Sequence, residues 1–126
     1  MQSPEYLFVY GLLRRDVGGP MQPVLNAAAR LVGGASWPGR LYRVAEFPGA
    51  TPTDGDELVV GELYELGEDA AELLARLDAY EGTPDDYVRV RSAVSCEDRE
   101  IEAWIYVWKR PTDGLERIES GDFASA

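Results

Sequence analysis

The chain has 126 residues, 45% of them hydrophobic, which suits one compact domain able to bury somewhat under about 70% of its unfolded surface without staples. It has no His and one Cys, excluding a Ser-His-Asp triad, a Cys-His dyad, an imidazole metal site and an internal disulfide. Twelve basic against 23 acidic residues give a net charge of −11, which repels phosphate backbones and anionic membranes, so neither nucleic acid nor membrane is an expected partner.

Tyr6 to Tyr10 (YLFVY) is an aromatic, apolar run stopped by Gly11 and reads as a buried strand. A polar, Gly-rich stretch reaches Pro20, Pro23 to Arg30 suggests a short helix, and Leu31 to Trp37 and Gly39 to Val44 read as two further strands. Glu46 to Asp56, with Pro48, Pro52 and two glycines, is expected to be an irregular loop. Leu58 to Leu66 has a strand's composition with a bulge or bend expected at Gly61, and Gly67 ends it. Ala70, Leu73, Leu74 and Leu77 then fall at helical spacing behind Glu68 and Asp69, whose charges favour a helix start, and the helix is expected to stop near Gly82 with Pro84 just beyond.

Tyr87 to Cys96 and Ile101 to Trp108 predict a hairpin around Glu97 to Glu100, apolar on nearly both faces. Strands buried on both faces imply a barrel or a helix-covered sheet. With two helices available, the pattern predicts an α+β fold, a small mixed β-barrel with flanking helices. Residues 1–126 are expected to form this one domain, with a core over about 5–110 and a mostly irregular tail over 111–126. The start Met-Gln-Ser-Pro-Glu lacks the basic and apolar regions of a secretion signal, and no apolar run approaches the roughly 18 residues of a membrane span. The expected location is the cytoplasm. Cys96, alone on an apolar strand pattern, reads as packing.

Without His, proton transfer near neutral pH falls to a carboxylate with a raised pKa, to Lys109, the single lysine, or to a tyrosine. Glu81 lies four residues after Leu77 and eight after Leu73, which puts a carboxylate on the apolar stripe. Burial, and a helix C-terminus that offers it no dipole stabilisation, would both push its pKa toward that of a general base. The other reading ends the helix before Glu81 and swings the side chain into water. Asp78, about 100° round from Leu77, is expected to face solvent, as is Glu72. Tyr10-Gly11-Leu12-Leu13-Arg14 is a strand end running into a loop, where glycine would let successive N–H groups converge on an anion and Arg14 or Arg15 would add charge; an ordinary turn is the alternative. Tyr87 and Tyr106 are pocket walls or hydroxyl donors, or plain aromatic core. Asp85 and Asp86 diverge as neighbours and suggest no third ligand, so no metal site and no cofactor are expected.

Together these fragments resemble the gamma-glutamyl cyclotransferase-like superfamily over most of the chain. The resemblance runs through Tyr10-Gly11-x-Leu13-Arg14, Phe47-Pro48-Gly49-Ala50, Val60-Gly61-Glu62-Leu63-Tyr64, Leu77-Asp78-x-x-Glu81-Gly82, Tyr87-x-Arg89, Ala103-Trp104-x-Tyr106-Val107 and Ser120-Gly121-Asp122-Phe123. It implies a catalytic glutamate at Glu81 and a pocket at the Tyr10, Gly11, Leu12 and Leu13 loop, which would hold the substrate's α-carboxylate. It also implies a small-molecule gamma-glutamyl substrate cleaved to 5-oxoproline by its own α-amine. Leu12 stands where the family commonly has a small or hydroxylated residue. The alternative is a non-catalytic binding module that retains the pocket and that Leu12 narrows.

Overall fold

The computed structural model describes residues 4–83 and 85–125. Pro84 and the first three residues, on which part of the helix-end and leader expectations fell, lie outside the described residues. Strand β1 (Tyr6–Val9) is followed by α1 (Gln22–Ala28), β2 (Ala29–Val44), β3 (Phe47–Pro52), β4 (Leu58–Leu66), α2 (Ala70–Glu81), β5 (Tyr87–Cys96), β6 (Arg99–Trp108), β7 (Glu116–Ile118) and a 3-10 turn over Phe123–Ser125. Five strands close a barrel in the order β2-β4-β1-β6-β5, with β5 returning to β2 through Ala35 opposite Cys96 and Ser36 opposite Ser95. Only β1 and β6 run parallel within it, Leu7 lying opposite Trp104; the other neighbours are antiparallel.

The two-faced apolar pattern of β6 acquires a physical meaning in this closure. Ala103 and Ile105 point into the barrel with Phe8, Trp37, Leu63 and Val94, while Tyr106 points outward into a second cluster with Leu73, Leu74 and Leu77 of α2 and Leu25 of α1. The barrel is thus filled on its inside and roofed by helices on one side, and every strand between must be apolar on both faces. Cys96 is buried in the interior cluster, where burial pushes its thiol pKa up. Among the described residues no helix is long and apolar enough to cross a membrane.

Four expectations are corrected. The two strands expected over 31–37 and 39–44 are one, β2, because Pro38 falls where β4 and β5 give way to β3 and β7 as partners, a place where losing an N–H donor costs least. The expected loop over 46–56 holds a strand, β3, whose prolines pair with Arg43 and Gly39 of β2; they are tolerated because β3 has β2 alone as a strand partner. The bulge lies in β2 between Leu31 and Gly33, and Gly61 is regularly paired with Ala35. A Cβ at Gly61 would stand 2.2 Å from the Val9 carbonyl oxygen, so this glycine lets β1 approach closely. The tail is less irregular than expected, since β7 pairs with β2 and Ile118 is buried in the interior cluster. The β5–β6 turn is tight, with Glu97 and Asp98 at φ of 52° and 63°, as a two-residue type I′ connection requires.

Candidate active site

The topology brings four segments to one end of the barrel. Because β1 and β6 are parallel, their C-terminal ends lie together, and antiparallel β5 begins beside them with Tyr87 opposite Trp108 and Arg89 opposite Tyr106. Helix α2 connects β4 to β5, so its C-terminus arrives at the same end. It is anchored by the buried Leu73, Leu74 and Leu77 and stopped by Gly82, which takes the left-handed conformation at φ 74° and donates its N–H to the Asp78 carbonyl. Glu81 is the last helical residue. It lines a cavity of about 270 Å³ together with Tyr10, Gly11, Leu12, Leu13, Tyr87, Tyr106, Phe47, Pro48, Tyr80 and Asp86. All seven residues singled out as candidate site residues thus border one space.

Burial pushes the Glu81 carboxyl from its ordinary 4.5 up to about 7. No hydrogen bond from a described residue offsets that burial, whereas the neighbouring Asp78 receives three. Asp78 was expected in solvent. Instead its Oδ1 and Oδ2 accept from Arg89 Nε at 2.7 Å and Nη2 at 3.0 Å, and Oδ1 also accepts from the Tyr106 hydroxyl at 2.8 Å. Burial raises the Asp78 pKa, but the Arg89 and Tyr106 hydrogen bonds outweigh it, and the net direction is down. The sequence did carry this signal: Asp78 follows buried Leu74 by four residues and precedes Glu81 by three, which puts it on the inward face.

The three tyrosine hydroxyls are committed to protein acceptors. Tyr10 donates to the Tyr106 carbonyl at 2.5 Å and accepts from the Ala50 N–H at 3.2 Å. Tyr87 donates to the Pro48 carbonyl at 2.6 Å, and Tyr106 donates to Asp78. Each phenol carries one proton, so as built these residues wall the cavity and have no proton left to offer a ligand. Burial, and then neighbouring charges including Glu81, push the pKa values of Tyr10 and Tyr87 up; for Tyr106 burial comes first, followed by its Asp78 contacts.

The loop after β1 is braced through its carbonyls: Gly11 O accepts from Arg14 N at 3.0 Å and Leu12 O from Gly19 N at 2.8 Å. No bond in this bracing uses the N–H groups of Gly11, Leu12 or Leu13. Glycine is needed at 11 for close approach, since a Cβ there would stand 2.7 Å from Pro48 Cγ, and its φ is not in the left-handed region. Nor do Arg14 and Arg15 charge the cavity. The buried Arg14 guanidinium turns to Asp16 at 2.7 Å and Asp122 at 2.7 Å, tying the loop to the tail, while Arg15 reaches Asn26. Tyr80 and Asp86 also line the cavity, and the sequence pattern assigns neither to it. Asp86 pairs with Arg110 at 2.5 Å.

Fold and cavity together define a class: a small, helix-flanked mixed β-barrel in which a desolvated carboxyl and a strand-end loop border one pocket. The family model for gamma-glutamyl cyclotransferase, AIG2-like proteins matches residues 7–125, and the chain belongs to that family. It is 36% identical over 118 residues to the gamma-glutamylcyclotransferase family protein YtfP of Escherichia coli (strain K12), covering 93% of this chain and 94% of the relative. Among solved structures it is similar to protein PH0828 of Pyrococcus horikoshii, at 29% identity and TM-score 0.72 over 96% of this chain and 91% of that one. It is also similar to an AIG2-like protein of Mus musculus, at 25% identity and TM-score 0.76 over 96% and 90%. The expected fold, a mixed barrel with flanking helices, is the one these structures share.

Proposed function

We propose that the protein cleaves a gamma-glutamyl amide by internal attack of the substrate's α-amine on its γ-carbonyl, with Glu81 as general base and then general acid. A C–N bond forms to close the ring and the amide C–N bond breaks; of the two protons the α-ammonium loses in becoming the ring N–H, Glu81 passes one to the departing nitrogen, and the released amine takes up the second and leaves as an ammonium. The products are 5-oxoproline and an amine, and no water is consumed. Because nucleophile and electrophile belong to one molecule, the tether itself supplies the advantage of proximity, on the order of 7 to 11 kcal/mol for well-oriented groups, so the protein needs no nucleophile of its own and has only to hold the chain curled. Proton transfer adds a factor of about 10² to 10⁴.

The observation that carries this reading is a carboxylate with a pKa of about 7 in the same cavity as the loop over residues 11–13. A value there matches a group that must both accept and return a proton near neutrality. In this reading, free loop N–H groups receive the substrate's α-carboxylate and Tyr87 and Tyr106 wall its carbon chain. The test is incubation with gamma-glutamyl amines, gamma-glutamyl dipeptides and glutathione, with 5-oxoproline read by mass spectrometry. Wild type is expected to form it from at least one of them. Glu81→Gln, nearly isosteric, is expected to keep the fold and lose at least about 10² in turnover. Near-normal turnover by that variant removes Glu81 from the mechanism, and tight binding without product by the wild type identifies a binding module instead.

A further inference from the structure

We propose that Asp78 is a positioning residue for the acid/base: by holding the proton of the Tyr106 hydroxyl, it keeps that hydroxyl from donating to Glu81 and leaves its lone pairs to seat the substrate's ammonium. The ammonium part of this inference rests on the function proposed above; the hydrogen-bond part does not.

Asp78 and Glu81 are three residues apart on α2 and therefore neighbours on one helix face, roughly 5 to 6 Å between Cβ atoms. The Tyr106 hydroxyl donates to Asp78 at 2.8 Å, Tyr106 lines the cavity that Glu81 enters, and Glu81 is among the charges that act on that hydroxyl. It has one proton and two nearby carboxylates. The Arg89 fork, at 2.7 and 3.0 Å, fixes Asp78 as the ionised one and decides which carboxylate receives the proton. Arg89 is held in turn by stacking on Trp104, 4.3 Å from the ring centroid. A donated hydrogen bond stabilises the charged form of a carboxylate. Were Tyr106 to donate to Glu81 instead, the acid would become a weaker base and would lose the burial effect on which its role depends.

The other groups facing Glu81 act consistently. Tyr10 from β1 and Tyr87 from β5 give their protons to backbone carbonyls, Tyr80 lies on the same helix, and Asp86 pairs with Arg110. The hydroxyl oxygens of Tyr10, Tyr87 and Tyr106 are thereby left as acceptors, and no Lys or Arg is among the described residues that line the cavity. Such a wall suits a group with several N–H donors, and a primary ammonium is the one a gamma-glutamyl substrate carries.

The test is a ¹³C titration of Glu81 in protein labelled at the glutamate carboxyl carbon, its signal assigned by loss in Glu81→Gln. In Asp78→Asn the freed hydroxyl is expected to turn to Glu81 and lower its midpoint by about one pH unit. In Tyr106→Phe the midpoint is expected to stay in place, and adding Asp78→Asn to that background is expected to move it no further. A positioning role through Tyr106 predicts this dependence; a general charge effect of Asp78 or Arg89 predicts the same drop in both backgrounds and overturns the proposal. If Asp78→Asn does not fold, Tyr106→Phe alone still decides, since a rise in midpoint would mean that Tyr106 already donates to Glu81 in the wild type. For the ammonium seat, Tyr106→Phe is expected to raise KM about tenfold with kcat within about twofold, and an unchanged KM overturns that part. Absence of 5-oxoproline from the wild type sinks the cyclotransferase reading and leaves the titrations to judge Asp78.

Discussion

The desolvated carboxyl of Glu81 costs the fold stability when it ionises, and pH exposes that cost. Its folded pKa of about 7 lies above the ordinary 4.5, so the folded protein holds this proton more tightly than the unfolded chain does. The resulting stability is fully present below pH 4.5 and is lost as pH rises through about 7. The full difference corresponds to at most about 3 kcal/mol. Glu81→Gln does not titrate, so its stability relative to wild type is expected to grow by up to that amount between about pH 4.5 and pH 8. Urea unfolding of both proteins at the two pH values checks it. A gap that stays constant with pH would show that Glu81 is not ionised into a desolvated site. The same residue shows what the sequence could say: its spacing from Leu73 and Leu77 announced an inward acid, while its alternative, a side chain swung into water, was settled only by the cavity. Asp78 lies about 100° round from Leu77 but one turn after the buried Leu74, and the second neighbour is the one that sets its inward face.

At the scale of elements, α2 and the β5–β6 hairpin were legible because their signals are local: a leucine stripe, a terminating glycine, alternation around a polar turn. Strand β3 was hidden by its prolines, whose tolerance depends on an edge position that no local pattern reveals. The tail was hidden for a similar reason, since its order comes from distant partners. Gly121 is the clearest of these. It sits at φ 72°, its carbonyl accepts from the Val60 N–H at 2.7 Å, and a Cβ there would lie 1.9 Å from the Leu58 carbonyl oxygen. The next residue, Asp122, ties the tail to Arg14 beneath the site loop. Gly121→Ala therefore meets both left-handed strain of about 1 to 2 kcal/mol and a clash with backbone that cannot rotate away. The expected loss is on the order of 3 kcal/mol, read as a lower urea midpoint with unchanged slope. If the tail merely detaches and the rest survives, the slope falls as well, and the tail is then an appendage and not part of the barrel's cooperative unit.

For the whole molecule, barrel closure was inferred from strands apolar on both faces, but the closing pair could not be read from the chain, because β2 and β5 meet across about sixty residues at just two registered positions. Net charge, by contrast, is fully legible in the sequence and acts on the whole particle. The chain carries −11, and the cavity adds the carboxyls of Glu81 and Asp86 with no Lys or Arg among its described lining residues. A gamma-glutamyl amine with a neutral leaving group approaches with no net charge, whereas a gamma-glutamyl dipeptide brings an extra carboxylate and meets repulsion. That repulsion reaches about 30 Å at 10 mM salt and about 8 Å at 150 mM. Raising salt between those limits is therefore expected to increase kcat/KM for the dipeptide about threefold relative to the amine, with the change in KM and not in kcat. Steady-state assays of the two substrates side by side decide it. Equal salt responses would mean that the field of the particle does not reach the cavity mouth, and that discrimination between leaving groups rests on contacts inside it.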